Sequence, residues 1–383
     1  MKNLLTFSLC FLFTACGSGS DKETPEAKLE KAGSLELPLN NRTSYKTPHL
    51  SYFVDSSESE KVPFLVFLEN NIPAIHFFDL NSRQLSFSIL LKEEGPESVG
   101  RPGGMKIVSM DSIIVVSTAS RKVSMLDERG SIIYTCNLFK EGQIGGYHTG
   151  MPLSYTINPL NLYNGKLYLN VAPDRNTWKP EYYDAPIMME FDPEDCTYKY
   201  FNHYPKAMRG KVWGSRGMTY ATTRNKRDQL VSSFASDHTI QVMELSDNSI
   251  TEYLVKSKYI DELEPLKNPG VSTDKEYVFT TPSYGAIVYD PYRSIFYRFA
   301  RHGLPELEED SEYNDQPFSI MILDENFKTL GETYFPGELY VPHQFFLTGD
   351  GLYLSTNNDK HPDLREDVLT FNLFTVKGLE GIR

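Results

Sequence analysis

The 383-residue chain is 40% hydrophobic, carries 24 Tyr and 23 Phe against 2 Trp, and has a formal net charge of −13. This composition excludes a disordered chain and supplies enough apolar surface for a large core. The acidity, with no run of Lys and Arg anywhere, excludes nucleic acid as a partner, because affinity for phosphate backbones comes from clustered cations that release counterions.

The first segment, MKNLLTFSLCFLFTAC, opens with Lys2, continues through the apolar run Leu4 to Phe13, and ends in small residues before Cys16. That pattern is an export signal, too short to cross a bilayer as a permanent helix. Thr14, Ala15 and Cys16 resemble the lipobox of bacterial lipoproteins. The resemblance implies that residues 1–15 are removed, that Cys16 is lipidated, and that the protein meets a membrane through that lipid alone. It places the protein in the cell envelope, at the outer membrane, facing either the periplasm or the cell surface. An ordinary cleaved signal with an incidental cysteine is the plainer alternative. Residues 16–32 carry small and charged side chains and are expected to form a flexible tether. Residues 33–383 are then the folded domain.

The stretch Gly95 to Leu138 shows how that domain is built. Lys106–Met110, Ser112–Thr118, Lys122–Leu126 and Ser131–Asn137 are β-branched or aromatic-rich runs separated by turn residues, and a four-stranded meander of this length is one blade of a β-propeller. Its outer hairpin, a hydrophobic strand ending in an acid, a polar turn and a second strand, recurs around Asp79, Asp127, Asp192, Glu244 and Asp324, with the first strand alone around Asn372. Six second strands are also legible: VPFLVFLE, DSIIVVST, GKLYLNV, DQLVSSFA, RSIFYRFA and DGLYLST. The expected fold is therefore all-β, a six-bladed propeller. Its last blade lacks an outermost strand, and Ser34–Leu39 is the spare one, so the N-terminal strand is expected to close the ring and hide the sheet edges.

Unequal spacing between the recurring acids marks three insertions: Pro173–Asp184, Lys256–Lys275 and Arg301–Gln316. Within them YIDELEPL is expected to form a short helix and LEEDSEYND a solvated flap. Cys136 and Cys196 fall on outer strands of consecutive blades. Counted from Asp127 and Asp192 they are offset by five residues, about 17 Å along a strand, which predicts two packed thiols rather than a bond.

The order of GPESVGRPGGMKIVSMDSIIVVSTASRKVSMLDERGSI, with Gly-Pro first, Pro-Gly-Gly before the inner strand and a hairpin turn containing Asp and Gly, is similar to the NHL-repeat class of six-bladed propellers. Over most of its length, including the signal, the Gly-Pro segment and YDPYRSIFYRFARH, the chain resembles the Gram-negative lipoproteins of domain-of-unknown-function family 4221. This resemblance implies the fold and the address, and it supplies no reaction.

In propellers the loops that leave second strands and those that lead into inner strands share one face, around the mouth of the central channel. That rule gathers Arg121, Arg175, His238, Arg301, His302 and Asn357 with Arg101, His148, Arg209, Arg216 and His343. Convergent arginine and imidazole groups would hold a carboxylate, phosphate or sugar, whereas a lone Arg or His on a loop more often caps a turn. Trp178, Trp213, Tyr182 and Tyr183 occupy the same loops, where aromatic rings either stack on sugars or staple the loop down. No HExxH, paired cysteines or Asp-rich calcium loop is present, so no metal or other cofactor is expected. No GxSxG elbow or glycine-rich phosphate loop is present either.

The expected function is an envelope-anchored propeller without catalysis that binds a small molecule, a sugar or organic anion, or an envelope protein through its loop-bearing face. One alternative is a hydrolase or lyase acting on a sugar, lactone or peptide-derived substrate, with His148, His302 or His343 as acid or base. Another is an assembly scaffold.

Overall fold

The computed structural model describes residues 26–56, 61–69, 72–138 and 150–379; Cys16 and His148 lie outside them. Strand β1 (Lys28–Pro38) comes first. The first blade holds β2 (Leu50–Asp55), β3 (Val62–Glu69), β4 (Ala74–Asp79) and β5 (Gln84–Leu90), and the second β6 (Gly104–Ser109), β7 (Ser112–Ser117), β8 (Lys122–Leu126) and β9 (Ile132–Asn137). In the third, β10 (Met151–Leu153) and β11 (Asn161–Tyr163) both pair with β12 (Lys166–Ala172), followed by β13 (Pro186–Asp192) and β14 (Thr197–His203). A short helix α1 (Gly214–Gly217) leads into the fourth blade, β15 (Tyr220–Arg224), β16 (Gln229–Phe234), β17 (Thr239–Glu244) and β18 (Ile250–Leu254). Helix α2 (Val271–Thr280) precedes the fifth, β19 (Ser283–Asp290), β20 (Ile295–Arg301), β21 (Phe318–Leu323) and β22 (Thr329–Phe335). The sixth is β23 (Phe345–Leu347), β24 (Leu352–Ser355), β25 (Val368–Lys377) and, on its outer edge, β1.

The ring therefore closes as expected, with the N-terminal strand antiparallel to the last one, from Lys28 opposite Lys377 to Pro38 opposite Val368. Strand β1 begins earlier than its apolar residues suggested, at Lys28 rather than Ser34. Its first turn of sequence is polar because only alternate residues, such as Leu29, Leu35 and Leu37, meet the core.

Burial follows strand position. Second and third strands are covered on both faces by neighbouring blades, so β3, β4, β7 and β21 are nearly continuous runs of buried residues. Outer strands alternate or face solvent, as β5 and β18 do. The recurring acid has a local cause. Asp79, Asp127, Asp192 and Asp324 each accept the backbone N–H two residues on, at 2.7, 2.9, 3.1 and 2.8 Å, which fixes the outer hairpin turn. Glu244 is one methylene too long for this and instead accepts from Gln229 Nε2 at 2.5 Å, while Asp247 accepts from Ser249 N in its place.

Two expectations are corrected. The segment YIDELEPL is not helical: Pro265 interrupts it, and the helix starts after Gly270, as α2. Cys136 and Cys196 form a disulfide with Cα atoms 5.8 Å apart. The count along the sequence overstated their offset because the residues from Asp127 to Cys136 double back through a turn. Cys136 lies opposite Val123, only three positions from the strand end at Leu126, and Cys196 is itself in the turn before Thr197, with φ of 56°. The two blades pack through a core shared by Val123, Cys136, Met189 and Phe191, which brings strand and turn together.

Two histidines sit deep in the blades. Burial lowers both His49 and His76 to about 4, so they are neutral in the fold and protonated in the unfolded chain below pH 6.5. The unfolded state then binds more protons, and stability is complete above that value and falls as pH drops from 6.5 towards 4, by up to about 1.4 kcal/mol per pH unit for each group. Urea unfolding at pH 7 and pH 5 should show this loss, and His76→Asn should reduce it by about 2 kcal/mol. An equal loss in the variant would place the proton uptake elsewhere.

Candidate functional site

At the end of the channel where the inner strands begin, the chain leaves a cavity of about 290 Å³. Pro48 lines it from the segment before β2, Thr219 from before β15, and Pro342 and His343 from before β23. Gly285 and Ala286 enter from β19, and Phe299 and Arg301 from β20. Tyr155 and Ile157 come from the break between β10 and β11, where the chain makes only an isolated bridge, Tyr155 with Asn158. Tyr155 is stacked on buried His49, ring centroids 5.2 Å apart.

The remaining wall is Tyr313, delivered by the insertion of the fifth blade. The acidic half of that insertion, Glu308 to Asp310, is exposed as expected of a flap, but its second half turns inward and buries Asp315 and Gln316. A single turn, Tyr313–Asp315, is capped by Asp315 Oδ2 accepting from Glu312 N at 2.6 Å. Gln316 Nε2 donates to the carbonyls of Phe279 and Val278 at 2.7 and 3.2 Å, docking the insertion on the end of α2. Close approach requires glycine at 303, since a Cβ there would overlap the Thr280 carbonyl.

Two guanidinium groups meet at Tyr313. Arg301, only 4% exposed, lies over the ring with its guanidinium carbon 3.8 Å from the centroid, and its Nη1 donates to the Tyr313 carbonyl at 2.9 Å. Arg216, 2% exposed, donates from Nη1 to Ser283 Oγ at 2.8 Å and to the Tyr313 hydroxyl at 3.2 Å, while its Nε and Nη2 have no partner among the described residues. Among the described residues neither arginine forms an ion pair with a carboxylate. Burial lowers Arg301 to about 10, which leaves it charged at neutral pH. Burial pushes the Tyr313 phenol up, but Arg301 and Arg216 outweigh it and the hydroxyl is shifted down. His343 is pushed to about 3 by burial and then by Arg301, so it faces the cavity as a neutral imidazole that can donate or accept a hydrogen bond.

The arrangement gathers fewer residues than expected. Arg216, Arg301 and His343 converge. Arg121, at φ of 51° in the turn after β7, pairs with Asp174 at 3.6 Å and ties two blades together. Arg175 and Arg209 brace their own loops through the carbonyls of Glu181 and Tyr204, at 3.0 and 2.9 Å. His238 Nδ1 lies 2.8 Å from the Tyr284 hydroxyl, and His302 Nε2 lies 3.0 Å from Ser319 Oγ with its ring packed against those of Tyr259 and Tyr334. Asn357 donates to Val368 O at 2.8 Å and accepts from Thr370 N at 2.7 Å. It lines a separate groove of about 560 Å³ beside β1 and β25. Arg101 is exposed at the surface. Tyr182, Tyr183 and Trp213 are buried in one cluster and staple their loops. Tyr313, which completes the site, carried no signal in the sequence beyond its place in a long insertion.

No group of three or more His, Cys, Asp or Glu suited to a metal is present among the described residues, and among them no helix is long and apolar enough to cross a membrane. Residues 27–334 match the model of a domain of unknown function, DUF4221. The structure is similar to the crystal structure of a DUF4221 member from Bacteroides vulgatus, with a TM-score of 0.81 and 24% identity over 93% of this chain and 99% of that one. It also resembles a Bacteroides fragilis protein that carries the name of an exported protein, with a TM-score of 0.52 and 14% identity over 91% and 95% of the two chains. No protein with a curated description matches the sequence.

Proposed function

The chain belongs to the DUF4221 family, and from that premise we propose that it is an exported six-bladed propeller, lipid-anchored through Cys16 at the outer membrane, whose channel mouth binds a small organic anion. The observation that carries the reading is the pair of buried guanidinium groups, Arg216 and Arg301, that meet at Tyr313 with no carboxylate to neutralise them among the described residues. Burying cations unpaired is costly, and an anionic ligand removes that cost. The sign of the site is opposite to that of the molecule, whose net charge is −13. Export is supported by the signal segment and by the name of the Bacteroides fragilis neighbour.

Of the histidines expected as acid or base in a hydrolase or lyase, His343 alone faces the cavity within the described residues. His302 is held by Ser319. Binding is therefore the reading preferred over turnover.

The test is thermal unfolding of the detergent-solubilised full chain with small organic acids and with neutral sugars. An acid at about a hundred times its Kd should stabilise the native state by about 2.7 kcal/mol and raise the midpoint by several degrees. Arg301→Lys keeps charge and bulk but loses the planar fork, and should abolish most of the rise. A midpoint raised by neutral sugars and not by acids, or a rise unchanged in Arg301→Lys, would overturn the reading. Metabolic labelling with a fatty acid, lost in Cys16→Ser, tests the anchor.

A further inference from the structure

We infer that the anion taken by this cavity is a small monocarboxylate with a flat, apolar body, and not a sugar acid or an inorganic phosphate. The inference rests on the anion-binding reading above and adds the ligand's class.

Three observations carry it. The first is size. A volume of about 290 Å³ is at the low end for ligand pockets and has room for about ten water-sized groups, which suits a single ring bearing a short acid arm.

The second is the wall. Pro48, Tyr155, Ile157, Ala286, Phe299 and Pro342 present carbon to the cavity over most of its surface. Tyr155 is 39% exposed and is backed by the His49 ring behind it, so its position is fixed before a ligand arrives. A polyhydroxylated acid would bring four or five hydroxyl groups against these walls, and each one left without a partner would weaken binding, because its lost hydrogen bonds to water are not replaced. The side chains able to answer them are Thr219, Tyr155, Tyr313 and His343, too few once the acid group itself has been served.

The third is the charge and its placement. One guanidinium, that of Arg301, lines the cavity, and Arg216 stands behind Tyr313, where it contributes field without lining the cavity. A carboxylate needs one such fork and one further donor, and neutral His343 stands beside Arg301 to provide it. A phosphate dianion has three acceptor oxygens and calls for more donors than this wall offers. The apolar end and the cationic end lie on opposite demands of one ligand: a neutral ring would leave Arg301 buried without an anion, and a compact anion would leave the carbon surface wet.

The experiment is isothermal titration of the detergent-solubilised full chain with phenylacetate, acetate, gluconate and inorganic phosphate. Phenylacetate should bind at least tenfold more tightly than each of the other three, and Ile157→Thr should narrow its advantage over acetate. Gluconate or phosphate binding more tightly than phenylacetate, with the affinity lost in Arg301→Lys, would overturn this inference and leave the anion site standing. Equal affinity for acetate and phenylacetate would also overturn it, since the carbon walls would then contribute nothing. Binding of none of the four, or binding indifferent to Arg301→Lys, would overturn both.

Discussion

Replacing Arg298 by methionine is expected to destabilise the protein by about 4 kcal/mol or more, the largest effect of any single substitution considered. Arg298 is fully buried, and all five of its N–H donors are used. Nε donates to Ser233 Oγ at 3.0 Å, Nη1 to the carbonyls of His238 and Val255 at 2.7 and 2.6 Å, and Nη2 to those of Asp237 and Thr239 at 2.9 and 3.3 Å. The guanidinium carbon lies 3.6 Å from the centre of the Tyr284 ring. One side chain of the fifth blade thus organises the turn between β16 and β17 and the chain leaving β18 in the fourth. Methionine matches its length and supplies no donor, so several buried carbonyls lose a charged partner at about 1.5–3 kcal/mol each, partly offset by the desolvation that a buried cation no longer requires. Burial lowers the group to about 10, which keeps it protonated at neutral pH. Arg298→Lys should recover only part of the loss, because one ammonium cannot reach five acceptors arranged around a plane. Urea unfolding of the three proteins checks this. A loss below about 1 kcal/mol for methionine would mean that water serves these carbonyls equally well.

The second large effect is expected from Cys136→Ser combined with Cys196→Ser. The bond spans a sequence separation of 60 residues, and opening a loop of that length returns about 4 kcal/mol of conformational freedom to the unfolded chain. The bond links β9 of the second blade to the β13–β14 turn of the third, and Cys136 is 1% exposed. The double variant should therefore unfold several degrees lower, and a reducing agent added to the parent protein should reproduce the shift. Thiol titration of the denatured, unreduced protein is the counter-test: two reactive groups at these positions would show that the bond does not form.

The architecture was legible because two of its causes are local. A strand covered on both faces must be largely apolar, and a hairpin turn closed by an Asp carboxylate carries that Asp at the same place in each of the blades that use it. Strands β3, β7 and β20, with Asp79, Asp127 and Asp324, therefore read directly from the sequence. Closure by β1 followed from arithmetic, an unpaired strand at each end of the described domain. The disulfide did not read correctly because the level of a residue in a blade depends on where its hairpin turns and on how neighbouring blades are staggered, and neither is written in residue counts. The site was half legible. The rule that certain loops share one face grouped Arg216, Arg301 and His343, which the structure places near one another, but it could not separate them from Arg121, Arg175 or His302, whose partners lie on another blade, within the same loop or on the next strand. Tyr313 escaped notice because its neighbours Glu308 to Asp310 are exposed and acidic, and only the docking of Gln316 on α2 turns the end of that segment inward.

The pairing of β1 with β25 also bears on how the molecule comes into being. Among the described strands β1 is made first, and its hydrogen-bonding partner β25, Val368 to Lys377, is made last. Blades one to five can each form a meander from consecutive residues, but the circle cannot be completed until β1 and β25 are in the same place. Under the export proposed above, the final cooperative step waits for β25 to reach β1, so a chain still in transit carries no finished ring to obstruct its passage.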